Sequence, residues 1–160
     1  RTSPPTPVQP GQEDAGLFAG DSVMKVATKG RLAIPKQFRD QLPEGSCISI
    51  GTDKNLSSYP REQWEGLRDV LRSPLQATPE ERQVSRALHA LAIPCEFDQQ
   101  GRLTLSQEQR RHAGIDPDST VIVIGNSHEV EIWSADRWDS YSDGALGNFT
   151  DNVNRVTQSR

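Results

Sequence analysis

The sequence lacks what several common protein classes require. It has no apolar run long enough to span a membrane and no charged-then-apolar opening of the signal-peptide kind. It opens on Arg1 rather than Met, so the true start is expected to be either missing or trimmed. It has only two cysteines, Cys47 and Cys95, and neither belongs to a C-x-x-C pair. Each lies in an apolar context, so they read as buried thiols in a reduced compartment rather than as a disulfide or a metal site. His89, His112 and His128 are dispersed and none has metal-ligand spacing. There is no paired acid/base set, nucleophile motif or glycine-rich phosphate loop. No enzyme activity, cofactor or small-molecule substrate is therefore expected. Hydrophobic residues make up only 33% of the chain. Part of that deficit lies in residues 1–16, a proline-rich polar run that cannot offset its own ordering entropy and reads as a disordered tail. Positive charge is also scarce, with 18 Lys+Arg against 22 Asp+Glu for a net charge of −4. Net charge governs solubility and long-range steering, so a nucleic-acid binder of this composition must concentrate its cations locally.

What the chain does have is an internal repeat. Lys29-Gly30-Arg31-Leu32-Ala33-Ile34 matches Gln100-Gly101-Arg102-Leu103-Thr104-Leu105, and Arg39 falls where Arg110 does. Cys47-Ile48-Ser49-Ile50-Gly51 matches Val121-Ile122-Val123-Ile124-Gly125, and the Tyr59-to-Trp64 stretch matches Trp133 to Trp138. Landmarks kept in order and nearly in spacing mark duplication of a unit of about fifty residues.

Each unit reads alike. In the first, a strand over 23–27, a tight turn at 28–30 and a return strand over 31–34 predict a hairpin, with Gly30 supplying the turn's backbone freedom. Alternation sets Leu32 and Ile34 on one face and Arg31 and Ala33 on the other. The second unit repeats this over 95–98, 99–101 and 102–105. A short helix follows each hairpin. Pro35 suits the start of one, while Ser106 with Gln109 forms a capping box for the other, which Gly114 ends. Second hairpins are predicted from 47–50 with 56–59 and from 121–124 with 130–133. The run at 121–124 is apolar on both faces and belongs in the interior. Helices are predicted over 62–72 and after Thr78-Pro79-Glu80-Glu81, where a capping threonine precedes proline and glutamate. The division is thus a tail (1–16), a first unit (17–72), a linker and helix (73–92), a second unit (93–142) and a weakly structured tail (143–160). In the last, Gly144 and Gly147 weigh against the helix that Leu146, Phe149, Val153 and Val156 hint at.

Two hairpins around a short helix, with G-R-L opening the second strand, resemble the swapped-hairpin unit of AbrB-type DNA-binding domains. Tandem duplication of that unit resembles the MraZ family of transcription regulators, over roughly residues 18–141. Phe18-Ala19-Gly20 is similar to the family's opening F-x-G. Lys29 to Arg39 resembles its core, K-G-R-L-x-[LI]-P-x-x-F-R. Tyr59-Pro60 with Trp64, and Glu131-Ile132-Trp133 with Arg137-Trp138, resemble its later landmarks. The resemblance implies an α+β fold of two pseudo-symmetric, β-rich swapped-hairpin units with short and flanking helices. It also implies DNA recognition by the first hairpin, ring-shaped homo-oligomers on promoter repeats, and control of the division and cell-wall gene cluster together with the protein's own operon. A cytoplasmic, nucleoid-associated protein follows. The chain departs from the pattern at Ala27, where the family's D-x-x-x-R motif has an acid; the second unit keeps the motif as Asp98 and Arg102. Losing that carboxylate either weakens the geometry of the first site or frees Arg31 for phosphate.

The residues themselves offer a physical case for DNA contact. Lys25, Lys29 and Arg31 surround the turn at Gly30, Lys36 and Arg39 follow closely, and no acid occurs from Met24 to Arg39. Lysine and arginine supply phosphate affinity, and arginine can also read guanine edges. Arg102 is the second unit's counterpart, with Asp98 and Gly101 as structural members of its motif. The rival reading is an AbrB-like antitoxin or protein-interaction module. Such modules usually carry one unit and a long tail, whereas this chain has two units.

Overall fold

The computed structural model describes residues 18–70, 73 and 75–159. The expected tail over 1–16 and the predicted helix end at 71–72 lie outside these residues. In chain order the elements are β1 (Asp21–Lys25), β2 (Arg31–Ala33), α1 (Lys36–Arg39), β3 (Cys47–Ile50), β4 (Leu56–Tyr59), α2 (Arg61–Val70) and α3 (Pro79–Ala90). They continue with β5 (Ile93–Pro94), β6 (Arg102–Thr104), α4 (Gln107–Ala113), β7 (Thr120–Asn126), β8 (Glu129–Ser134), α5 (Ala135–Gly147) and α6 (Phe149–Gln158). The chain is α+β, as the repeat pattern predicts.

The strands form one antiparallel sheet, ordered β1-β7-β8-β4-β3-β5, and a separate two-stranded ribbon of β2 with β6. That order reads as a pseudo-twofold. β8 and β4 meet at the centre, β7 and β3 flank them, and β1 and β5 form the edges. Each edge strand lies beside the other repeat's hairpin, since β1 pairs with β7 and β5 with β3. The predicted hairpins β3–β4 and β7–β8 form within their own repeats, in registers that set Cys47 opposite Tyr59 and Val121 opposite Ser134. As expected, β7 is interior, with Val121 and Val123 inaccessible to solvent.

At the first hairpin of each repeat the simple pairing of its two arms is corrected, while the swapped-hairpin fold that the resemblance implies stands. The chain does reverse over 28–30, where the Gly30 N–H donates to the Ala27 carbonyl and the Ala27 N–H to the Arg31 carbonyl. The two arms then part, β1 to the large sheet and β2 to the ribbon. Turn residues and alternation specify that the chain turns and which face is apolar, but not which strand becomes the neighbour. A two-stranded hairpin this short is marginal alone. Exchange gives β1 five residue pairs along β7 and β2 three along β6. In the second repeat the predicted strand over 95–98 is replaced by β5 two residues earlier. Pro94 is tolerated there because β5 is an edge strand.

Leu32, Ile34, Leu103 and Leu105 are buried beside Val26, Ile48, Leu56, Val121, Val130 and Ile132 in one core shared by both repeats. Phe38 of α1 is buried there, edge-on to Phe18. Its counterpart in α4 is Gln109, fully buried and fully bonded. The Gln109 carboxamide accepts from the Ser106 N–H in the predicted capping box and donates to the carbonyls of Ile48 and Leu91. Thr78 caps α3 through the Glu81 N–H, also as predicted.

The C-terminal segment is the second correction. Instead of a weakly structured tail over 143–160, α5 runs through Gly144 to Gly147 and α6 follows. Two glycines cost about 1 kcal/mol each in a helix interior. Against this, the Ser134 hydroxyl caps α5 by accepting the Arg137 N–H, and Trp138 and Tyr141 pack their rings on Trp133. Leu146, Phe149, Val153 and Val156 lie exposed along the last helical turns. Among the described residues no helix is long and apolar enough to cross a membrane.

Candidate nucleic-acid interface

The ribbon is where the repeats meet as equals. Leu32 faces Leu103 across it, and both are buried. The pleat therefore sends the flanking residues to the other side, where Arg31 faces Thr104 and Ala33 faces Arg102. Arg31 and Arg102 stand on one face as diagonal neighbours, a relation that places such positions about 7–8 Å apart. Both are half-buried. A two-stranded antiparallel ribbon with arginines on its outer face has the dimensions of a major-groove reader.

A tight turn leads into each ribbon strand, and the two turns lie at opposite ends because the strands are antiparallel. In the second, the Asp98 carboxylate accepts from the backbone N–H groups of Gln100 and Arg102, both at 2.9 Å, and from Arg102 Nε at 2.9 Å. Gln100 adds a contact to the Arg102 guanidinium at 3.3 Å. The Arg102 N–H, with the other donors of this turn, holds the Asp98 carboxyl below its ordinary range. Arg102 is thus braced along its length.

The first turn has Ala27 in place of that acid, and its backbone answers differently. Lys29 takes φ +66° and Gly30 φ +75°, whereas in the second turn only Gly101 is left-handed, at φ +74°. A lysine in that region is strained by about 1 kcal/mol. Arg31 Nε is shielded from solvent with no hydrogen-bond partner among the described residues.

The expected site residues do not form one cluster. Lys25, Lys29, Gly30 and Arg31 gather at the first turn, with both lysines exposed. Lys36 and Arg39 follow β2 to its far end, beside the second turn. There the Ile34 N–H donates to the Gly101 carbonyl, and a Cβ on Gly101 would land on the Arg39 guanidinium. Reciprocally, a Cβ on Gly30 would come within 2.8 Å of Arg110 Nε and 2.7 Å of the Leu105 carbonyl. Arg110 is not among the residues that the sequence places at the site. Its only signal was its match to Arg39 in the repeat.

No group of three or more His, Cys, Asp or Glu among the described residues could hold a metal ion. Cys95 lies beside the first repeat, its N–H donating to the Ser46 carbonyl, and burial, with a smaller effect from Cys47, pushes its thiol up to about 12.

Comparison with known proteins agrees with this architecture. The family model described as MraZ protein matches twice, over residues 17–87 and again over 88–160. A protein of Lachnoclostridium phytofermentans named transcriptional regulator MraZ is 35% identical over 137 residues, covering 86% of this chain and 95% of its own. Proteins of the same name from Rhodococcus opacus and Mycolicibacterium smegmatis are 37% and 36% identical, each covering 84% of this chain and 92% of its own. With a duplicated unit, exchanged strands, a paired-arginine ribbon and a family match spanning both halves, the chain belongs to the MraZ family.

Proposed function

We propose that this protein is a sequence-specific DNA-binding transcription regulator that uses the outer face of the β2–β6 ribbon and its two turns. Its targets are the division and cell-wall gene cluster and its own operon. It works in the cytoplasm, associated with the nucleoid. The observation that carries the reading is the ribbon register, which sets Arg31 and Arg102 on one face with Leu32 and Leu103 anchored behind them. Lys25, Lys29, Lys36 and Arg39 supply phosphate contacts at the ends.

One chain offers few cations, so affinity comes from a homo-oligomeric ring that sets identical edges on successive promoter repeats. Linked weak contacts multiply through effective concentration when spacing matches. The apolar residues exposed on α6 offer such an assembly a surface.

The test is fluorescence anisotropy on DNA from upstream of the protein's own operon, at rising salt. Affinity should fall steeply with salt, because phosphate contacts release counterions. Arg31→Ala should lower it roughly 5- to 150-fold per engaged edge, the range of a good bidentate base contact. If the mutant, still assembled, binds as well as wild type, the first-turn assignment is wrong.

A further inference from the structure

The antiparallel ribbon has a consequence for which side chains serve which turn. β2 starts at the first turn and ends beside the second, while β6 does the reverse. Each turn is therefore abutted by the short helix of the other repeat. At the first turn this is α4, whose Arg110 packs its Cδ and Nε against Gly30, and the Leu105 N–H donates to the Gly30 carbonyl at 2.9 Å. Only a glycine leaves room for it.

Arg110 Nε, like Arg31 Nε, is shielded from solvent and without a hydrogen-bond partner among the described residues. A guanidinium whose inner nitrogen is shielded and unmet is held in place by packing, with its outer nitrogens left to meet an acceptor. The acceptor that suits a planar fork beside a cationic turn is a phosphate oxygen. Two such donors flank one glycine, Arg31 by chain connection and Arg110 by packing. Arg111, the next residue on α4, is exposed and does not share this setting.

We infer that Arg110, supplied by the second repeat, contacts a DNA phosphate at the turn of the first, so that the strongest cationic edge is a composite of both repeats. This rests on the DNA-ribbon reading above and adds to it a residue that the local cluster does not contain. It also gives the conformation of the first turn a purpose. With no carboxylate at position 27, Arg31 has no acid partner among the described residues, and the outer guanidinium nitrogens of Arg31 and Arg110 are the groups left to meet the duplex.

The full-length protein is titrated with operon DNA over a salt series, as wild type, Arg110→Gln, Arg111→Gln and Arg31→Gln, with assembly checked by size-exclusion chromatography. Arg110→Gln should lower affinity roughly tenfold and reduce the slope of log K against log salt by about 0.9 per engaged subunit, the signature of one lost phosphate contact. Arg111→Gln should change neither. A loss of affinity with the slope unchanged would mean that Arg110 only props the turn, and the inference falls. If Arg110→Gln behaves as wild type while Arg31→Gln loses binding, the inference falls and the ribbon reading stands. If Arg31→Gln also binds normally, the ribbon reading itself falls. Should Arg110→Gln fail to assemble, phenylglyoxal modification of the wild-type chain decides the matter. DNA should protect Arg110 and leave Arg111 reactive, whereas equal reactivity of Arg110 with and without DNA overturns the proposal.

Discussion

The two ribbon turns share a backbone plan and differ at one decisive side chain. Asp98 ties the second turn together through two main-chain N–H groups and the Arg102 guanidinium. Ala27 gives the first turn only its backbone hydrogen bonds and no side-chain acceptor, and the chain there closes with Lys29 and Gly30 both left-handed. The same fold thus holds one arginine by a carboxylate and leaves the other without a side-chain acceptor among the described residues. A turn that spends its arginine on internal bonding gains order, while one that does not keeps more cation for a ligand.

Adding a methyl group at each turn should bring out this difference most strongly. Both glycines occupy positive φ, so alanine is strained at either. At Gly30 the new Cβ also meets the Leu105 carbonyl, which is backbone and cannot step aside. At Gly101 it meets only the mobile end of Arg39. Gly30→Ala should therefore cost about 2–3 kcal/mol and Gly101→Ala about 1–2 kcal/mol, read as the shift in denaturation midpoint. Equal costs would mean that the two turns are packed alike.

Exchanging the acid should have a smaller effect. Asp98→Ala should lower the melting temperature and loosen the second turn, seen as faster amide exchange at Gln100 and Arg102. Ala27→Asp should raise the melting temperature by no more than that drop, and should weaken DNA binding at low salt a few-fold by engaging Arg31. Tighter binding by Ala27→Asp would show that orienting Arg31 matters more than freeing it.

The smallest effect is on pH dependence. The folded state lowers the Asp98 carboxyl below its ordinary range. Its contribution is present above the unfolded carboxylate value and fades as pH falls through the lower folded one. Amide exchange at Gln100 and Arg102 should speed up in that acid window, while Lys29 and Arg31 stay indifferent. An equal acid response at both turns would remove Asp98 as the cause.

Local signals carried much of this structure. The β3–β4 hairpin follows the predicted strands to the residue, and the Ser106–Gln109 box, the Thr78 cap and the Gly114 helix end all form where side-chain chemistry calls for them. Such features depend on residues a few positions apart. What local patterns do not disclose is partnership at a distance. Period-two alternation in 31–34 is equally satisfied by β1 or β6 as neighbour, so strand exchange is implied only by the resemblance to swapped-hairpin domains. For the same reason Lys25 to Arg39 read as one cationic cluster although β2 carries Lys36 and Arg39 away from Gly30. Beyond Tyr141 the glycines weigh against a helix only through propensity, a weak preference that capping and ring packing override.

The ribbon pairs unlike strands from one polypeptide. Were the two units separate identical subunits, its ends would be identical by symmetry and neither could lose an acid without the other. Fusion lifts that constraint. One end has Asp98 and the other has Ala27, so the ribbon has a head and a tail. On the DNA reading proposed above, such a ribbon would lie on an asymmetric site in only one direction, and a ring of subunits all facing the same way round would give its DNA a sense of travel that a palindrome cannot supply.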